Sequence, residues 1–167
     1  MSVLNKIHFL KRDEGRSFWF LGTLMTLKAS GETTDNAFSL IEQVAPVGFA
    51  PPRHVHHAED ETFYILEGEV TYFAGEKTIH APAGSFIHLP RDVPHSFRVD
   101  GSAPAHLLQS TYPAGLENFF IELGVPTDDL VLPLPASLDM TQQGVQKLLE
   151  LAPKYQLEIV GPPPGAS

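Results

Sequence analysis

Cysteine is absent from this chain of 167 residues. That removes disulfide frameworks, thiolate zinc sites and cysteine nucleophiles together, and it fits a reducing compartment. Basic residues are few: 11 Lys and Arg face 20 Asp and Glu, for a formal net charge of −9. A surface of that sign repels phosphate backbones and anionic lipid, and no basic run interrupts it, so no nucleic-acid partner is expected. Long apolar runs are missing as well. Nowhere do about 18 apolar residues stand together, so no membrane span is expected. The stretch Met1 to Gly15 carries Lys6, Lys11, Arg12, Asp13 and Glu14 and has neither the apolar run nor the cleavage site of a secretory signal. A cytoplasmic protein is the expectation.

Hydrophobic residues make up 43% of the chain, enough for a packed core rather than wholesale disorder, and the length suits one domain. Turn signals recur at Ser30-Gly31, Pro46 to Gly48, Glu67-Gly68, Ala74-Gly75, Pro82 to Gly84, Pro90 to Asp92 and Asp100-Gly101. Between them lie runs rich in β-branched and aromatic residues: Phe18–Lys28, Phe38–Ala45, Glu61–Leu66, Val70–Ala74, Lys77–Ala81, Ser85–Leu89, His95–Val99 and His106–Thr111. Short strands at such spacing predict an all-β sandwich or barrel.

After Thr111 the pattern changes. Leu116, Phe119, Phe120 and Leu123 fall at helical spacing, as do Val145, Leu148, Leu149 and Ala152, with Asp139 or Thr141 as N-cap and Pro153 near the end. Val125 to Pro135 reads as an extended, proline-punctuated connector. The expected organisation is N-terminal strands or an arm packed on the barrel over 1–36, the barrel core over 37–112, a C-terminal helical extension over 113–160, and a disordered tail over 161–167.

The chemistry lies between Gly48 and Val99. His54 and His56 are one residue apart in a β-type run, so the two-residue period of a strand points both imidazoles from one face, where they can close on one ion. Glu61 shares the phase of Phe63 and Ile65. His95 shares that of Phe97 and Val99, so it is either a metal ligand or a costly buried polar group. Glu59 is the substitute if Glu61 is out of phase; otherwise Glu59 and Asp60 are expected to be solvated. His57 should face away from His56, as a solvent-facing or supporting group. His88 is expected to be packed or at the surface, and His8, His80 and His106 carry no signal.

Gly48-x5-His54-x-His56-x4-Glu61-x6-Gly68 resembles the first motif of the cupins, and Gly84-x5-Pro90-x-Asp92-x2-His95-x3-Val99 resembles the second. Asp92 stands where glycine is usual and Val99 where asparagine is usual; neither position carries a metal ligand in that family. The resemblance implies a cupin jelly-roll β-barrel with short C-terminal helices. It implies one divalent transition metal (Fe, Mn, Ni, Co, Cu or Zn) held by His54, His56, Glu61 and His95, with room for about two exogenous ligands. Phe63, Ile65, Phe97 and Val99 would wall a substrate cavity. Phe119 and Phe120 would lid the barrel mouth, or else pack outside it or at a dimer interface.

Among cupins, the overall likeness is to the quercetin dioxygenase-like proteins. That likeness implies a metal-dependent dioxygenase for a small aromatic or enolisable substrate, with Glu61 as ligand and catalytic base. A metal-dependent isomerase or lyase and a non-catalytic small-molecule binder are the alternatives. Arg53, Arg91 and Arg98 should lie at edges or outside, which argues against the oxyacids and sugars of the isomerase reading. A homodimer, formed by sheet contact or strand exchange, is the state expected by analogy with the family.

Overall fold

A computed structural model describes residues 7–134 and 142–165. Twelve strands are formed: β1 (Arg16–Phe20), β2 (Thr23–Ala29), β3 (Ser39–Ala45), β4 (Arg53–His56), β5 (Asp60–Glu67), β6 (Glu69–Ala74), β7 (Lys77–Pro82), β8 (Phe86–Leu89), β9 (His95–Asp100), β10 (Ala105–Tyr112), β11 (Val125–Pro126) and β12 (Leu157–Gly161). Among the described residues three helices accompany them: α1 (Gly31–Thr34), α2 (Glu117–Leu123) and α3 (Gln142–Leu151), the last running into a 3-10 turn at Ala152–Tyr155.

The strands form two antiparallel sheets that face each other as a jelly roll. The larger has the order β11-β1-β2-β3-β10-β5-β8 and the smaller β12-β4-β9-β6-β7. Alternation along each strand dictates this layering. In β3 the residues of one phase are buried and those of the other are half-buried, and in β5 Glu61, Phe63 and Ile65 turn inward while Tyr64 turns out. One core fills the space between the sheets around Phe63, Ile65, Tyr72, Phe97, Val99 and Leu107. A second closes one end of the barrel, where Phe18, Phe20 and Met25 of β1 and β2 meet Leu116, Phe119 and Phe120 of the α2 region and Leu148 of α3.

The eight expected β-runs all fall on strands, with three revisions. Phe18–Lys28 is not one run but a hairpin, turned at Leu21 and Gly22 with φ of +45° and +85°. Two successive positive φ values make the tight connection that suits twisted strands, and leucine gives no turn signal in sequence. Second, of the expected N-terminal strands or arm, residues 16–29 form strands, β1 and β2, and both are members of the larger sheet. Third, residues 157–161 of the expected helical extension are a strand, paired to β4 through Leu157↔His56 and Ile159↔His54. Gly161, placed in the tail by composition, ends that strand, and the next residue still bonds the sheet through Arg53 N–H to the Pro162 carbonyl at 3.4 Å. The proposed N-caps Asp139 and Thr141, Pro135 of the connector, and 166–167 of the tail lie outside the described residues. No helix among the described residues is long and apolar enough to cross a membrane.

Candidate metal centre

Three neighbouring strands bring the candidate ligands together. His54 and His56 lie on β4, His95 faces His54 directly across the β4–β9 pair, and Glu61 reaches over from β5 in the opposite sheet. The three imidazole centroids are 4.5 to 5.2 Å apart. One ligand atom from each of His54, His56, Glu61 and His95 lies within 4.8 Å of every other. Glu61, His56 and His95 are buried and His54 is half-buried, so His54 marks the open side.

Ring orientation is set by backbone carbonyls. Nδ1 of His54 donates to the Pro52 carbonyl at 2.7 Å and Nδ1 of His95 to the Val93 carbonyl at 2.9 Å. Each bond fixes the orientation of its ring and turns Nε2 toward the centre, the arrangement that metal-binding histidines require. His56 hydrogen-bonds through neither nitrogen, and its Nε2 lies 3.4 Å from Glu61 Oε2. A buried imidazole with both nitrogens unmet is costly unless a further group completes it. Three such nitrogens and one carboxylate, with no sulfur, suit a borderline divalent transition metal, so the residues fit the group the fold implies.

Charge within the cluster is uneven. Burial, and then the neighbouring His56 and His95, push the His54 pKa down to about 3, so its ring is neutral with a lone pair free. Burial alone would raise the Glu61 carboxyl. The charge of His56 beside it and the hydrogen bond with His95 at 3.0 Å outweigh burial and hold Glu61 well below the usual carboxylate range. Burial likewise opposes protonation of His56, but Glu61 and then Glu59 raise its pKa. Glu61 is therefore an ionised acceptor.

Glu59 corrects the sequence reading. It is 5% exposed rather than solvated, because it shares the phase of Glu61 and tucks beneath Gly115, where an added Cβ would stand 3.3 Å from its Oε1. Its Oε2 is 4.0 Å from Nδ1 of His56, on the far side of that ring from the centre. Burial raises its pKa. Asp60 is only partly covered and pairs with Arg91 at 2.9 Å. His57 points outward, to Asp92 and Glu158. His88 lies on the outside, 3.9 Å from Asp60, while His80 meets Thr71 and His106 meets Glu42.

The centre opens into a cavity. Phe63 and Phe97 line it, but Ile65 and Val99 do not: they are 0% and 1% exposed and lie deeper between the sheets. Strand phase reports which face a residue takes, not its height along the barrel. The wall is completed instead by Phe20, Phe49, Leu116, Phe119, Phe120 and, from β12, Leu157 and Ile159. Phe119 and Phe120 thus belong to the cavity wall. Polar lining beyond the centre is limited to Gln43 and Gln109, and none of Arg53, Arg91 and Arg98 belongs to the wall. Gln109 was not legible as a site residue, since a polar residue within Ala105–Tyr112 carries no spacing signature.

A double-sheet jelly roll that gathers three imidazoles and a carboxylate at an apolar mouth is a barrel of the metal-site class. Residues 40–110 match the family model described as the cupin domain, and the chain belongs to the cupin superfamily. It is 30% identical over 126 residues to the quercetin 2,3-dioxygenase of Bacillus subtilis (strain 168), a match covering 75% of this chain and 37% of that protein. The chain thus spans little more than a third of that relative. In fold it resembles an RmlC-like cupin from Shewanella frigidimarina, with a TM-score of 0.59, 17% identity, and coverage of 68% of this chain and 96% of that one. It also resembles the polyketide cyclase RemF from Streptomyces resistomycificus, with a TM-score of 0.57, 18% identity, and coverage of 64% and 80%. At those identities the two structures support the fold alone.

Proposed function

We propose that this protein is a metal-dependent dioxygenase acting on a small aromatic or enolisable molecule, with one divalent transition metal held by His54, His56, Glu61 and His95. The observation that carries this reading is the pairing of an all-nitrogen-and-oxygen donor set, within 4.8 Å, with an aromatic wall to which, among the described residues, no Lys or Arg contributes. Such a wall favours neutral or singly ionised ring systems over phosphates and polyacids. The sequence likeness to a quercetin 2,3-dioxygenase points the same way.

When bound, Fe, Mn, Ni, Co, Cu or Zn supplies a Lewis acid that offsets the charge of an enolate or phenolate oxygen. The chain supplies the rest. Phe63, Phe97 and Phe119 line the cavity and exclude water from it. Glu61 is the carboxylate at the cavity floor and the candidate acceptor of the substrate proton.

Oxygen consumption by protein reconstituted with each first-row divalent metal, against a flavonol and a 1,3-diketone, tests the proposal. Metal-dependent uptake that disappears in His54→Ala is expected; no uptake with any metal on either substrate rejects it. Turnover that persists under strict anaerobiosis would assign an isomerase or lyase, and tight binding without turnover a non-catalytic binder. We also infer a homodimer, supported by exposed Tyr64, Leu66 and Phe86 on the outer face of the larger sheet, where Tyr64 and Phe86 are cross-strand neighbours. Light scattering should give twice the chain mass.

A further inference from the structure

Gln109 is the polar residue that the centre leaves unexplained. It lies on β10, opposite Phe63 of β5 and Ile41 of β3, and its side chain turns inward with 6% exposure. Its Nε2 donates to Glu61 Oε1 at 2.5 Å. Its Oε1 is buried and meets no donor among the described residues, although Gln109 belongs to the cavity wall. A buried amide oxygen without a donor is costly, so a residue that keeps one has another partner to meet.

The amide cannot be turned round to relieve this. The N–H2 is the group that faces Glu61 Oε1, and a carboxylate that holds a metal only accepts. With Nε2 committed, Oε1 is fixed as an acceptor next to the metal centre. Gln43, the other amide in the wall, lacks this constraint, for its Nε2 goes to the Thr23 hydroxyl at 3.3 Å.

We propose that Gln109 determines ligand specificity, with Oε1 accepting a hydrogen bond from a neutral hydroxyl or N–H that neighbours the metal-bound oxygen of the ligand. An anionic oxygen or an ether at that point leaves the amide unpaired and is rejected. Recognition of a donor by a buried acceptor discriminates more sharply than apolar fit, because the wrong ligand strands a polar group. The ligand class thereby narrows to aromatic or enolic molecules with a chelating oxygen pair and one adjacent protonated donor. This inference rests on the proposed metal-bound oxygen ligand.

The test uses the zinc-loaded full chain, which is redox-silent, and two probes under argon: pyrogallol and 3-fluorocatechol. Both offer a catechol pair; only pyrogallol adds a third hydroxyl, which the fluorine replaces without donating. Calorimetry gives the ratio of the two dissociation constants in the wild type, in Gln109→Met and in Gln109→Glu. The cycle cancels differences in chelation common to all three proteins. The preference for pyrogallol should fall at least about fivefold in Gln109→Met. It should survive in Gln109→Glu, which keeps an acceptor oxygen toward the cavity but loses zinc affinity by about 10- to 100-fold, because the donor to Glu61 is gone. An equal ratio in wild type and Gln109→Met, with both probes bound, overturns the inference alone. Zinc uptake without binding of either probe overturns the proposed function, and this inference with it.

Discussion

His57 and Asp92 meet at 2.6 Å although 35 residues separate them, and the other ring nitrogen of His57 meets Glu158 at 2.9 Å. A ring between two carboxylates donates from both nitrogens, so it is the imidazolium that ties the turn before His95 to β12. Asp92 also has φ of +66°, and its N–H donates to the His56 carbonyl at 2.8 Å. That left-handed backbone explains why glycine is usual there in the family, and aspartate is among the few other residues that adopt it readily.

The His57 tie should weaken as pH rises. Its hydrogen bonds with Asp92 and Glu158 raise its pKa above the ordinary 6.5. A group whose pKa is higher when folded stabilises fully below its unfolded pKa and loses that contribution as pH climbs through the folded value. The melting temperature of His57→Ala should therefore fall below wild type at pH 5.5 and approach it at pH 9. An equal gap at both would show that the tie contributes no charge.

Metal should stabilise the wild type and not its ligand variants. At an ion concentration about 100 times the dissociation constant, ligation contributes about 2.7 kcal/mol to unfolding free energy. His54→Ala and His95→Ala should lose this increment in urea titrations and, by elemental analysis, retain no stoichiometric metal. Wild-type metal content in either variant would remove that residue from the centre.

Phe119→Ala should separate the wall from the centre. Phe119 is 2% exposed and packs edge-on to Phe20, Phe120 and Tyr155 at 5.9, 5.6 and 5.8 Å. Truncation should cost about 3–5 kcal/mol in denaturant unfolding. Metal stoichiometry should stay at the wild-type level, since Phe119 offers no donor atom to an ion. A loss of metal in folded protein would mean that the mouth and the centre form one unit.

Gly68→Ala tests why the first motif ends on glycine. Gly68 has φ of +85°, and a Cβ there would stand 2.8 Å from the Ala105 Cα, backbone that cannot move aside cheaply. Strain of about 1–3 kcal/mol is expected from the dihedral alone, with the clash added to it. The denaturation midpoint should fall accordingly; an unchanged midpoint would mean the β5–β6 turn relaxes freely.

How much of this was legible depends on what periodicity can carry. A two-residue period identified the inward face of β4, β5 and β9; that His54, His56, Glu61 and His95 share one centre came from the resemblance to the two cupin motifs. The period could not give height along a strand, which is why Ile65 and Val99 were expected beside Phe63 and Phe97 in the wall. Nor could it choose between Glu59 and Glu61, which share a phase; only the position of His56 between them separates their surroundings. Leu157 and Ile159 were hidden for another reason. They form a short run after a 3-10 turn and before Gly161 and three prolines, a composition that reads as tail until β4 is there to pair with it.

That last strand has a consequence for the order in which the protein is made. The last of the four candidate ligands, His95, leaves the ribosome 62 residues before Leu157. On a growing chain the edge of β4, the strand that carries His54 and His56, therefore stays unpaired on its β12 side after all four candidate ligands have been made.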